Sequence, residues 1–418
     1  MSNLPTSTML RALILAVGVA LFSSSSFCQE GAKGQSVRPE IGKPLQAAID
    51  LLKAKKGKET LLKLKEADAA ADKTPYETYM VERVRGQAAA MAGDPGTAAR
   101  SLEAAAVSPA APAADRLVLI AGAAGQYYLV KDYAKCADLT SRYLKEGGTD
   151  PALRTLRVQA LYLNNDFARA GEELAALIKA QEENGKPASE EQLQLYSTIC
   201  LKQHDTACYG TALEKLLTRY PKPDYWLTAI YELTKGTGFP ARHALDVARL
   251  KLYTHTMRTT GEYFEAAQLS MQDGYPAEAK DIIDRGYAAG LLGTGAEADR
   301  HRRLRDMVAK SLAEDTRTLG REDAAAAAAK DGTVLLSTGF NYVLRGQADK
   351  GLPMMEQGLQ KGGFKHPDDA KLRLGIAQVL AGHGHPAAQT LAGVHGTDGT
   401  SELARLWAVA ASHHDVAK

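Results

Sequence analysis

The chain has 418 residues, with 51 Lys+Arg against 49 Asp+Glu and a net charge of +2. That balance lacks the clustered Lys/Arg excess that is the minimal footprint of a nucleic-acid binder, so no nucleic-acid partner is expected. The length exceeds what one compact core usually supports, a limit that a stack of repeats escapes because each unit packs only on its neighbours.

Residues 1–28 read as a signal peptide. Arg11 supplies the positive region, ALILAVGVALF at 12–22 the apolar core, and Ser26 and Cys28 the small residues before a cut at Gln29. The apolar core is too short to span a bilayer, which takes about 20 residues. A competing reading makes Cys28 a lipidated cysteine, but bulky Phe27 precedes it. Lipoprotein signals resemble one another in having Gly, Ala or Ser there. A secreted or periplasmic mature chain is therefore expected, with no membrane span because no later apolar run is long enough.

Residues 29–42 are polar, with Gly and Pro, and form a flexible lead-in. From Pro44 onward the apolar spacing is helical. Residues 43–68 give a first hairpin turning at Lys55, Lys56 and Gly57, and Pro75 opens a second that turns at Gly93-Asp94-Pro95-Gly96. Two units then follow in register, turning at Lys131-Asp132-Tyr133 and Asn165-Asp166-Phe167, with the two aspartates 34 residues apart. Cys136 and Ala170 each follow their aspartate by four residues. A polar insert at 181–189 precedes a unit over 190–220, and the next hairpin has a long turn at 236–240. A regular unit at 263–290 turns at Gly274-Tyr275-Pro276. Residues 296–330 are helical by propensity but irregular. The clearest unit, TVLLSTGFNYVLRGQADKGLPMMEQGLQKGG at 333–363, follows. There Gly339 and Gly351 face each other across a polar turn, so two backbones can cross closely. Residues 367–394 repeat the pattern, and 401–413 form a last amphipathic helix expected to cover the open end of the stack.

These units resemble the tetratricopeptide repeat, a helix–turn–helix unit of about 34 residues with small residues at its eighth and twentieth positions. The resemblance covers most of 43–394, most clearly at 115–181 and 333–395. It implies an all-α fold, an α-solenoid superhelix of about ten hairpins with a C-terminal capping helix. The expected divisions are regular repeats over 43–222, irregular hairpins over 223–330, and repeats with the capping helix over 331–414. It also implies a non-catalytic scaffold or adaptor that holds a protein or peptide on the inner face of its first helices, here in the bacterial envelope. If the fifth, ninth and twelfth positions line that groove, Arg83, Gln87, Tyr128, Gln159, Tyr162 and Gln194 are the partner-binding candidates. The two tyrosines either line that wall or pack between adjacent repeats.

Little else in the chain carries chemistry. GLLGTG at 290–295 follows a helix, not a strand, so it reads as a helix end rather than a phosphate cradle. Neither a metalloprotease motif nor a nucleophile elbow occurs. His366, His383, His385, His395, His413 and His414 crowd the C-terminal end. Turn positions explain several of them, and no metal site or cofactor is expected, with a metal or small-molecule carrier as the alternative. Cys200 and Cys208 are either core thiols or a disulfide, and Cys136 reads as a core residue. An enzyme on a solenoid platform would need a separate catalytic domain, for which the repeats leave no room.

Overall fold

The computed structural model describes residues 36–235, 238–321 and 323–413. The signal segment with Cys28, most of the lead-in, Gly236 and Thr237 of the long turn, and His414 lie outside the described residues. Among the described residues there are 21 α-helices and no strand, and none of these helices is long and apolar enough to cross a membrane. The helices pack neighbour to neighbour and fall into two compact units that divide between Thr206 and Ala207.

The first unit holds α1 (Pro39–Lys53), α2 (Gly57–Asp68), α3 (Pro75–Ala92), α4 (Pro95–Val107), α5 (Ala113–Leu129), α6 (Tyr133–Lys145), α7 (Pro151–Leu163), α8 (Phe167–Glu183) and α9 (Glu190–Lys202). Each helix packs on the next, and α1 also meets α3 while α5 meets α7. Chain entry into each hairpin is punctuated. Pro sits at the start of α1, α3 and α7, where its missing N–H costs nothing. Thr74 with Glu77, and Ser189 with Gln192, form reciprocal capping boxes.

The second unit holds α10 (Thr206–Arg219), α11 (Pro223–Thr234), α12 (Ala244–Tyr253), α13 (Thr260–Gln272), α14 (Pro276–Ala288), α15 (Ala298–Thr318), α16 (Asp323–Ala328), α17 (Thr333–Leu344), α18 (Ala348–Lys361), α19 (Pro367–Leu380), α20 (Gly384–Ala392) and α21 (Thr400–Ser412). Tyr263, Phe264, Ile282, Ile283, Leu304 and Val308 join α13, α14 and α15 in one apolar cluster. The irregular stretch resolves into the long α15, of which only His301, Leu304 and Val308 are buried, and the short α16.

The last helix makes contacts beyond its neighbours in the chain. Besides α19 and α20, α21 packs on α11 and α12, near the start of its own unit. The physical reason is its composition: Leu403, Ala404, Trp407, Val409, Ala410 and Ala411 are all buried. Trp407 lies 5.8 Å from the Tyr253 ring of α12.

Candidate partner-binding face

The turn inside each hairpin fixes where its first helix ends. Gly93, Lys131, Asn165, Gly274, Gly346 and Gly382 all take left-handed φ values, between 61° and 81°. The next residue returns its N–H to the carbonyl five positions back, at 2.8–3.0 Å, from Asp94 to Ala89 through His383 to Gln378. This 6→1 bond is the Schellman closure of a helix C-terminus. Asp94, Asp132 and Asp166 then cap the second helix by accepting the N–H three residues on. Four residues after each turn comes a buried small residue: Ala98, Cys136, Ala170, Ala279, Gly351 and Ala387 in chain order. The local chemistry thus holds the first helices of successive hairpins in equivalent settings.

On these helices the expected face residues take unequal positions. Arg83, on α3, pairs with Asp115 of α5 at 2.8 Å and donates to the Tyr79 hydroxyl at 3.2 Å. The same hydroxyl donates to Asp115, and burial together with that carboxylate raises the Tyr79 phenol. Gln87 on α3, Gln159 and Tyr162 on α7, and Gln194 on α9 are half-buried. Tyr128 on α5 is only 9 % exposed, and burial pushes its phenol up to about 12. Its ring meets Tyr133 of α6 edge-on at 5.5 Å, and Tyr162 repeats that contact with Phe167 of α8 at 5.6 Å. The tyrosines therefore brace the turn of their own hairpins. The structure distributes the six residues over four first helices, α3, α5, α7 and α9.

Sequence reasoning missed the apolar residues beside them. Met91, Leu129 and Leu163 each stand two positions before the left-handed residue of their turn, and Leu201 stands three before His204. All four are 40–49 % exposed. The signal was available, because each apolar residue extends its first helix beyond the last position the hairpin core requires. Gly125 of α5 lies on the same helix as Leu129, and a Cβ there would meet nothing within 4 Å.

The cysteines and histidines separate cleanly. Cys200 and Cys208 are both disulfide-bonded, whereas Cys136 is a free thiol in the core, pushed up to about 12 by burial. His366, His383, His385 and His395 are exposed, and His413 Nε2 lies 2.8 Å from the Leu217 carbonyl. Among the described residues no three His, Cys, Asp or Glu side chains gather as a metal site.

The second unit contains a buried polar cluster that sequence reasoning also missed. Arg249 of α12 donates two bonds to Glu278 of α14, at 2.7 and 2.8 Å, and one to Asp246 at 2.7 Å. Its guanidinium lies 4.6 Å from the Phe340 ring centre and 5.3 Å from that of Tyr275. Burial opposes its charge, and the carboxylates outweigh burial, so its pKa rises. The clue was charge on an apolar helix face: Asp246 and Arg249 are three apart, among Leu245, Val247 and Leu250. A cleft of about 290 Å3 opens between α12 and α13, lined by apolar residues with Lys251, Glu262 and Glu265. Lys251 is already paired with Glu262 at 2.9 Å. No protein-family model matches the chain, and no curated protein matches it either.

Proposed function

We propose that this chain is a non-catalytic helical-repeat scaffold of the tetratricopeptide type that holds a protein or peptide partner on the first helices of its N-terminal unit. The observation that carries this reading is the exposed apolar series Met91, Leu129, Leu163 and Leu201. Apolar side chains scattered singly need no explanation, but a series repeated at near-equivalent positions of successive first helices supports reading them as one contact surface. Half-buried Gln87 and Gln159, each four residues before an apolar member of the series on the same helix face, supply amide donors and acceptors able to hold a backbone. A secreted or periplasmic location accords with the N-terminal residues and with disulfide-bonded Cys200 and Cys208.

Changing Leu129 and Leu163 together to Asp tests the reading. Both side chains are exposed, so folding stability should move by less than roughly 0.5 kcal/mol per site. Capture of the partners retained by the unaltered protein from cells that make it should be lost. Unchanged capture at unchanged stability would place the binding surface elsewhere.

A further inference from the structure

His243, just before α12, is 1 % exposed and lies among three segments of the second unit. Its Nδ1 is 3.4 Å from Asp246 Oδ2. Its Nε2 is 2.9 Å from Thr400 Oγ1 and 3.4 Å from Asp369 Oδ1. The Thr400 hydroxyl also lies 2.5 Å from Asp398 Oδ1. Hydrogen bonds from Thr400 and Arg242 hold the Asp398 carboxyl well below the usual range, so that group only accepts. A hydroxyl has one proton to give. Thr400 gives its proton to Asp398 and must accept from His243, which requires a proton on Nε2.

On the other side of the ring stands Asp246. Its Oδ1 accepts from the buried Arg249 guanidinium at 2.7 Å, a charged partner that keeps Asp246 a carboxylate. A bare Nδ1 would point its lone pair at that carboxylate, so Nδ1 needs a proton too. A neutral imidazole carries only one. We infer that His243 is an imidazolium and acts as a proton-dependent clamp tying α12 to α19 and α21.

The surroundings supply the matching charge. Arg242, next in the chain, pairs with Asp369 and Asp398. Arg249 of α12 pairs with Asp246 and with Glu278 of α14, and Arg373 of α19 lies 3.9 Å from Asp273. Five carboxylates thus face three guanidiniums, an imbalance that the ring's positive charge reduces. Loss of either ring proton leaves a lone pair against oxygen. The clamp therefore holds at low pH and loosens as pH rises, while the apolar contact of Trp407 with Tyr253 is indifferent to pH.

Nitrogen-15 spectra of the full chain at pH 6, with the His243 signals assigned by loss in His243→Gln, should show both ring nitrogens protonated. Backbone amides of α21 should lose at least tenfold in exchange protection between pH 6 and pH 9. His243→Gln should remove that pH dependence, and Thr400→Ser, which keeps the hydroxyl, should retain it. A singly protonated ring at pH 6 would overturn the inference, as would an equal loss of protection in His243→Gln. Should His243→Gln fail to fold, assigning the ring by through-bond correlation in the unaltered protein decides the matter alone.

Discussion

At the scale of single residues, several buried or half-buried charged side chains join one helix to another. Glu77 shows the pattern. Its side chain is fully buried, accepts from Arg38 Nε and Nη2 at 3.0 Å each, and accepts from the backbone N–H of Arg38 and of Thr74. The Arg38 hydrogen bonds pull its carboxyl down to about 2, against the opposing effect of burial. A carboxyl depressed in the folded state stabilises above its unfolded value, and that stability disappears as pH falls through the folded one. The window here runs from the usual carboxylate range down to about pH 2. Glu77→Gln should lower the melting temperature at pH 7 and flatten its fall over that window. Parallel melting curves for the two proteins from pH 7 to pH 2 would contradict this role. Arg83 belongs to the same class of residue: the pattern that nominated it for a groove could not show that Asp115 already holds it.

At the scale of helices and hairpins, much was legible from local chemistry. The turns at Asp132 and Asp166, the small residues four positions later, and the Gly339–Gly351 crossing depend on neighbours close in sequence. A Cβ on Gly339 would stand 2.6 Å from the Gly351 carbonyl oxygen and 3.0 Å from the Met355 nitrogen, backbone atoms that cannot swing away. Gly339→Ala gains up to about 1 kcal/mol of helix propensity but overpacks at a cost of about 1–3 kcal/mol. It should therefore destabilise. Gly210→Ala, at an exposed position of α10, meets nothing within 4 Å, so it should stabilise by up to about 1 kcal/mol. Chemical denaturation of both variants checks the opposite signs, and equal shifts would remove the close crossing. The return of α21 to α11 and α12 was not legible, because contacts such as His243 with Thr400 join residues 157 apart in the chain. Amphipathic spacing says that Trp407 must be covered, not by which helix.

At the scale of the whole molecule, the described residues form helical hairpins in two compact units. In the second unit the buried cluster of Arg249, Asp246, Glu278 and His243 binds helices to one another. The first unit leaves Met91, Leu129, Leu163 and Leu201 exposed on successive first helices, and the proposed partner binding rests on these residues. Area alone does not set affinity, so the contacts must be located directly. Site-specific photo-crosslinking in cells that make the protein does this, with the reactive group placed in turn at Gln87, Gln159 and Leu163, and at Lys179 of α8, which is 76 % exposed. Partner binding on the first helices predicts adducts to one common partner from the three first-helix positions and none from Lys179. Adducts from Lys179 alone, or none from the three first-helix positions, would contradict it.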